Sequence, residues 1–258
     1  FHAEEVSDEN GNPTQYLWSE NGQVLTQTVD ALGNDTSFGY DALNNITQTV
    51  DARGITTTAA YSGTFLTATT NGLAQQTLYT YTTGSEVPSQ PAGLLKAMSN
   101  AAGETTTYGY NAYGQPLTVT NAAGQTMSYA YDALGRVVTT TDYAGLVTIV
   151  DYNPAGQVVT TTANYLAGQP QNFQNLYNLI RVHDYDGAGR LRWTRDTFNR
   201  TDWVCYDAAG RVNRTVQNAT GDGLTPATDP CDAASYVASS DPAEDRVSET
   251  VYDAAGNV

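Results

Sequence analysis

The chain has 258 residues, 40% of them apolar, so it is long enough for one large or two ordinary domains and is not disordered by composition. Its 27 acidic residues against 11 basic ones give a net charge of −16, which disfavours nucleic acid and anionic membrane surfaces as partners. No apolar run approaches the roughly 20 residues of a membrane-spanning helix, so we expect no membrane insertion.

A seven-residue motif, written YDALGRV at residues 131–137, returns along the chain. Its tyrosines are commonly 21 residues apart, and between them lie turns of similar form, such as DALG at Asp30 and NAAG at Asn121. From Asn100 the turns advance by alternating steps of 11 and 10 residues, so the repeating unit is two strands and two turns. The candidate structural repeat positions are Tyr40, Asp41, Tyr110, Tyr131, Asp132, Gly135, Tyr152, Tyr185, Asp186, Tyr206, Asp207, Tyr252 and Asp253.

The motif has a physical explanation in β-hairpins. Asp or Asn at the start of a turn accepts a hydrogen bond from the backbone two residues on, and glycine at its end supplies a positive φ. Six or seven residues remain between turns, which is a usual strand length. Pairs such as Phe38 and Tyr40 share one face of a strand, so stacked hairpins would align them into an aromatic ladder. The sequence therefore predicts an all-β fold of stacked antiparallel hairpins.

Turns of the form YDxxGR repeated near every 21 residues resemble the RHS/YD-repeat family, from about Trp18 to Val258. The resemblance implies a secreted or surface protein whose hairpins coil into one continuous sheet. In bacterial toxin systems such a sheet closes into a hollow shell, and in teneurins it forms an adhesive barrel. The chain departs from the toxin shells because nothing in it resembles their plug, their self-cleaving segment or a toxin domain. We expect one YD-repeat region over residues 1–258.

Three stretches interrupt the repeat spacing, and we interpret them as insertions near residues 85–92, 159–182 and 217–247. The second contains Phe173, Leu176, Tyr177 and Ile180 at helical spacing. A short helix there and a strand leading into the next motif compete for the same residues, and the sequence leaves both open.

The sequence contains few residues that suggest catalysis or metal binding. No nucleophile motif, phosphate-binding loop or metal-ligand spacing occurs, so we expect no catalytic residue, no cofactor and no metal site. The acidic segment with Asp222, Asp229 and Asp232 lacks calcium-loop spacing. His183 lies two residues before a motif tyrosine and is interpreted as a substitute for a ladder aromatic. The arginines that follow turn glycines are expected to pair with neighbouring aspartates: Arg136, Arg190 and Arg211.

Cys205 and Cys231 bracket the largest insertion, and an even cysteine count favours a disulfide between them in a secreted chain. Two free buried thiols are the alternative. Five N-x-[ST] sequences are candidate glycosylation sites, although chance alone would give about that number: Asn34, Asn45, Asn199, Asn213 and Asn218.

The leading functional hypothesis is a non-catalytic structural segment of a secreted protein that builds an extracellular filament, appendage or shell. The alternatives are an adhesive module that binds carbohydrate or protein, and the shell of an RHS-type toxin. The expected partner is the chain itself, by head-to-tail assembly or as part of a longer array, because Val258 falls within a motif and neither end carries an atypical cap. Glycans are a further candidate partner, and the expected location is extracellular or at the cell surface.

Overall fold

The computed structural model describes residues 2–169, 176–219, 230–231 and 246–253. Among these residues it contains twenty β-strands and no helix, so no described helix could cross a membrane. The predicted fold class, all-β with stacked antiparallel hairpins, is confirmed. The chain divides into two compact units, Phe1–Ser128 and Tyr129–Val258.

In the first unit each strand pairs antiparallel with the next one in the chain, from β1 to β12. The strands are β1 (His2–Ser7), β2 (Pro13–Trp18), β3 (Leu25–Val29), β4 (Asp35–Tyr40), β5 (Ile46–Val50), β6 (Thr56–Ser62), β7 (Phe65–Thr70), β8 (Gln76–Tyr81), β9 (Leu95–Ser99), β10 (Thr105–Tyr110), β11 (Pro116–Thr120) and β12 (Thr126–Tyr131), the last of which runs past the unit boundary.

The second unit repeats the same arrangement from β13 to β20. Its strands are β13 (Val137–Thr141), β14 (Val147–Tyr152), β15 (Val158–Ala163), β16 (Leu179–Tyr185), β17 (Leu191–Arg195), β18 (Thr201–Tyr206), β19 (Val212–Ala219) and β20 (Arg246–Glu249).

Strand lengths explain the alternating steps of 11 and 10 residues. Between Asn100 and Asn153 the strands that end in a tyrosine have six residues, the strands that follow its turn have five, and each turn takes five. The pairing register shifts at the tyrosine, as between Gly39 and Tyr40, which leaves one extra residue on the following strand. Such a β-bulge increases the local twist and redirects the side chain beside it.

The interrupted stretches are bounded by strands. β8 ends at Tyr81 and β9 begins at Leu95, while β15 and β16 occupy both ends of residues 159–182. From Leu179 onward the chain is a strand that pairs with β15, so the strand alternative is confirmed there. Phe173 lies outside the described residues; Leu176 and Tyr177 are described and are not helical, and Ile180 lies in β16.

Few described residues are enclosed: nearly all of them are half-buried or exposed. The core consists of Trp203, Cys205 and Val216 on β18 and β19, against which Trp193, Cys231 and Val247 pack. These residues lie on the face of the second unit opposite its motif tyrosines, because the residue next to a motif tyrosine points to the other side of the strand. The disulfide partner Cys231 thus lies beside the small core of that unit.

The fourth position of each turn has a positive φ, which glycine tolerates and other residues adopt at a cost. Three turns place another residue there: Asn44, Asn199 and Ala74, the last at φ 60°. Asparagine is several times more common than alanine in this conformation. Ala74 is therefore a strained exception.

We expect Ala74→Gly to raise the free energy of unfolding by about 1 kcal/mol, because it removes the left-handed strain of an L-residue. Ala123→Gly is the matched control, since Ala123 lies one position earlier in the same kind of turn and its φ is not positive. It should lower the free energy of unfolding by up to about 1 kcal/mol through chain entropy. Urea denaturation of both variants makes the comparison, and equal shifts would contradict the assignment of strain to Ala74.

Candidate functional site: the tyrosine and aspartate turns

The turn at Asp132 shows how the motif works. Its Oδ1 accepts the backbone N–H groups of Leu134 at 2.9 Å and of Arg136 at 3.0 Å, and the N–H of Gly135 donates to the Asp132 carbonyl at 3.0 Å. Gly135 has φ 79°. One side chain therefore satisfies two backbone donors that the turn removes from the ladder of strand hydrogen bonds.

In most turns the side chain four positions after the turn opening complements it; Ile55 and Leu146 are the apolar exceptions, after Asp51 and Asp142. Where aspartate opens the turn, its Oδ2 accepts from an Asn or Arg side chain, as in Asp8–Asn12, Asp30–Asn34, Asp41–Asn45, Asp132–Arg136, Asp186–Arg190, Asp196–Arg200 and Asp207–Arg211. Where asparagine opens it, the Nδ2 donates to Gln or Glu, as in Asn71–Gln75, Asn100–Glu104, Asn111–Gln115, Asn121–Gln125 and Asn153–Gln157. The expected Arg–Asp pairs are confirmed within this larger rule.

These hydrogen bonds keep the turn carboxylates ionised. The hydrogen bond from the Asn45 side chain is the main reason that the pKa of Asp41 lies below its ordinary value. For Asp132 and Asp207 the backbone N–H of the arginine four residues on is the main cause of the lowered pKa, and its guanidinium adds to the effect. A carboxylate held in this way is a structural acceptor and a poor proton carrier at neutral pH.

The motif tyrosines bridge each hairpin at its open end. Their hydroxyls donate to a backbone carbonyl at the start of the preceding strand, fifteen residues earlier where no insertion intervenes, as from Tyr40 to Leu25 at 2.6 Å. The same bond joins Tyr81 to Leu66, Tyr110 to Leu95, Tyr152 to Val137, Tyr185 to Val158, Tyr206 to Leu191 and Tyr252 to Val212. Burial raises the pKa of Tyr40, so its hydroxyl remains a donor at neutral pH.

In the second unit the turns are also linked to one another along the edge. The guanidinium of Arg190 lies 4.3 Å from the ring centre of Tyr206, and the arginines 136 and 211 stack in the same way on Tyr152 and Tyr252. Gln157 makes the equivalent link by donating to the carbonyl of Gly189 at 2.7 Å. The arginine therefore serves its own turn and the tyrosine of the next motif.

Comparison with known proteins identifies the repeat. The family model described as RHS Repeat matches residues 18–57, 91–126 and 131–166. The chain contains RHS repeats. The predicted resemblance to the RHS/YD-repeat family is thereby confirmed, and the matched residues include the tyrosine and aspartate turns described above.

Solved structures give the same fold for this RHS chain. The TcdB2-TccC3-TEV crystal structure is 18% identical with a TM-score of 0.64, over 95% of this chain and 13% of that one. A Tc holotoxin pore structure from Photorhabdus luminescens is 12% identical with a TM-score of 0.48, over 83% of this chain and 14% of that one. The RHS chain thus spans a small part of the proteins it resembles in structure. No curated protein sequence matches it.

The remaining predicted site residues are dispersed. Cys205 and Cys231 are bonded to each other, with their Cα atoms 5.3 Å apart. His183 faces Thr194 on β17, the register that Phe38 has with Thr49. Among the described residues no three His, Cys, Asp or Glu side chains are grouped to hold a metal ion. The acidic residues 222, 229 and 232 lie outside that part of the chain.

The candidate glycosylation sites differ in their surroundings. Asn34 is exposed and donates to Asp30, and Asn199 lies in a turn at φ 62°. Asn45 uses its Nδ2 twice, toward Asp41 and toward the carbonyl of Gly63. The Oδ1 of Asn213 is buried without a hydrogen bond, and the backbone of Asn218 lies in β19. Glycosylation at any of them stays a prediction.

Turn complementarity can be tested at Asp186 and Arg190. Asp186→Asn alone should lower the free energy of unfolding by about 1 kcal/mol, because an amide then competes with the ionic hydrogen bonds from Arg190. Asp186→Asn combined with Arg190→Gln recreates the pair of Asn153 and Gln157, so part of that loss should return. Urea denaturation of the two single variants and the double variant gives the coupling energy, and strict additivity would contradict complementarity.

Removing the disulfide should lower the stability of the fold. The bonded cysteines are 26 residues apart, and closing such a loop should stabilise the fold by about 3.5 kcal/mol through chain entropy. The double variant Cys205→Ala/Cys231→Ala should show this loss, measured against the wild type under oxidising conditions. Both proteins should differ little under reducing conditions, and reactivity of both thiols in the unreduced, denatured wild type would contradict the pairing.

Proposed function

We propose that this RHS chain is a non-catalytic segment of the wall of a hollow shell formed by a longer, secreted or surface-exposed repeat protein. The observation that carries the proposal is the construction of the sheet. Its turn residues and motif tyrosines are committed to hydrogen bonds within turns and within hairpins, and most strand side chains are only half-buried. Such a sheet is suited to forming a wall.

The comparisons favour a shell over a filament or appendage. The chain aligns over 95% of its length with 13% of a toxin-complex chain, as expected of one stretch of a much longer array. The family resemblance implies closure of that array into a shell in toxin systems. Under this proposal the partners are further repeats of the same protein, either along the array or by head-to-tail contact, and the location is outside the cell.

Adhesion is the second candidate, because several apolar side chains point into solvent at the tips of the turns. Leu32, Leu73 and Tyr113 are each at least 80% exposed. Leu32 and Leu73 lie in turns at the same edge of the sheet, and exposed apolar side chains that form a contiguous patch are typical of protein contacts. An adhesive module would use these tips, whereas a wall would place them against other parts of its own shell.

Electron microscopy of the full-length protein that contains this chain distinguishes the candidates. We expect closed hollow particles of fixed size whose mass does not rise with protein concentration. Fibres that lengthen with concentration would contradict the shell and support the filament. Particles without a cavity, together with saturable glycan binding by the 258-residue chain, would support the adhesive module instead.

A further inference from the structure

A groove of about 500 Å³ lies on the tyrosine face of the second unit. Its floor is formed by Ala163 on β15 and by Arg181 and His183 on β16, and Phe198 in the turn after β17 forms one wall. That turn is held close to β16, because the hydroxyl of Thr197 donates to the Ile180 carbonyl at 2.9 Å. The volume and the mixed lining suit a small organic molecule.

The repeats provide an internal reference for this groove. Four residues before the motif aromatic the chain has threonine in six other repeats, at Thr14, Thr36, Thr57, Thr77, Thr106 and Thr148. Arg181 occupies that position here. Two residues before the tyrosine the other repeats have an aromatic residue, as at Phe38 and Tyr129, or a smaller residue, as at Ala59 and Val150, whereas this repeat has His183. No other repeat has a basic side chain or an imidazole at either position, and here both face the groove from one strand.

The charges in the groove favour an anion. Asp196 is neutralised by Arg200, whose Nε donates to its Oδ2 at 2.8 Å, and the backbone N–H groups of Phe198 and Arg200 donate to its Oδ1. Arg181 is exposed and makes no ion pair within the described part of the chain. Seven of the eleven basic residues lie between Arg181 and Arg214, against five acidic ones, in a chain of net charge −16.

His183 adds a neutral polar group. Burial lowers its pKa below the ordinary value, and the charge of Arg181 acts in the same direction. The imidazole is therefore uncharged at neutral pH and can donate or accept one hydrogen bond. It lies opposite Thr194, which in turn lies opposite Asp202 on β18.

We propose that this groove binds a small organic carboxylate that carries an apolar ring. The guanidinium of Arg181 takes the carboxylate, since its planar fork matches the two oxygens. The ring lies on Ala163 and Leu179 and against Phe198. The site extends the proposed wall function, because a shell segment needs no such groove, and it does not depend on the shell being closed.

The test uses the intact 258-residue chain with phenylacetate as the probe and phenylacetamide as its uncharged match. We expect saturable binding of phenylacetate by nuclear magnetic resonance titration, with shifts centred on Arg181 and His183, and affinity at least about tenfold above that of the amide. Arg181→Thr installs the residue of the other repeats, so the fold should survive. It should abolish the preference for the acid.

Arg53→Thr is the charge-matched control, because Arg53 lies on an exposed turn of the first unit and pairs with Asp51. It should leave the affinity for phenylacetate unchanged. Equal binding of acid and amide, an equal effect of both substitutions, shifts centred elsewhere, or no saturable binding of phenylacetate would each overturn the proposal. Thermal melting of both variants establishes that they are folded.

Discussion

The rest of the structure depends on a carboxylate or amide oxygen that accepts two backbone N–H groups in a five-residue turn. This contact determines where each strand ends and, with the positive φ of the fourth residue, directs the chain back antiparallel. Because every described turn of the regular region from Asn100 to Asn153 takes the same five residues, strand lengths alone set the repeat. The bulge beside each motif tyrosine then turns its side chain toward the preceding strand.

Contacts between successive turns make neighbouring repeats interdependent. At the turn of Asp51 the fourth following residue is Ile55, whose backbone N–H donates to the carboxylate but whose apolar side chain cannot. A Cβ at residue 72 in the next turn of that edge would lie 2.1 Å from Cγ2 of Ile55. Glycine therefore replaces the alanine that is usual at this place, and Ala74 occupies the left-handed position. The side chain of Ile55 in one turn thus accounts for the glycine in the next, as expected where each repeat contacts its neighbours.

Much of the fold could be predicted from residue identity alone. The period of the tyrosines gives the hairpins, and the D-x-x-G pattern gives the turns, because both depend on local backbone chemistry. In most turns the complementary residue four positions on can also be read from the sequence, since aspartate is followed there by Asn or Arg, except at Ile55 and Leu146, and asparagine by Gln or Glu. The hydrogen bond from Tyr40 to the Leu25 carbonyl could not be predicted, because it depends on a one-residue register shift that the side chains do not indicate.

The groove at Arg181 could not be predicted from residue identity alone. His183 was interpreted as a replacement for a ladder aromatic, and its register supports that interpretation. Its chemical surroundings come from residues distant in sequence, on β15 and in the turn after β17, which only the sheet brings together. A repeated scaffold keeps its backbone when a side chain on one face changes, because the turn contacts lie at the strand ends. A binding site can therefore arise in a single repeat without disturbing the others. Such a site is found by comparing each repeat with its neighbours, because it matches no known motif.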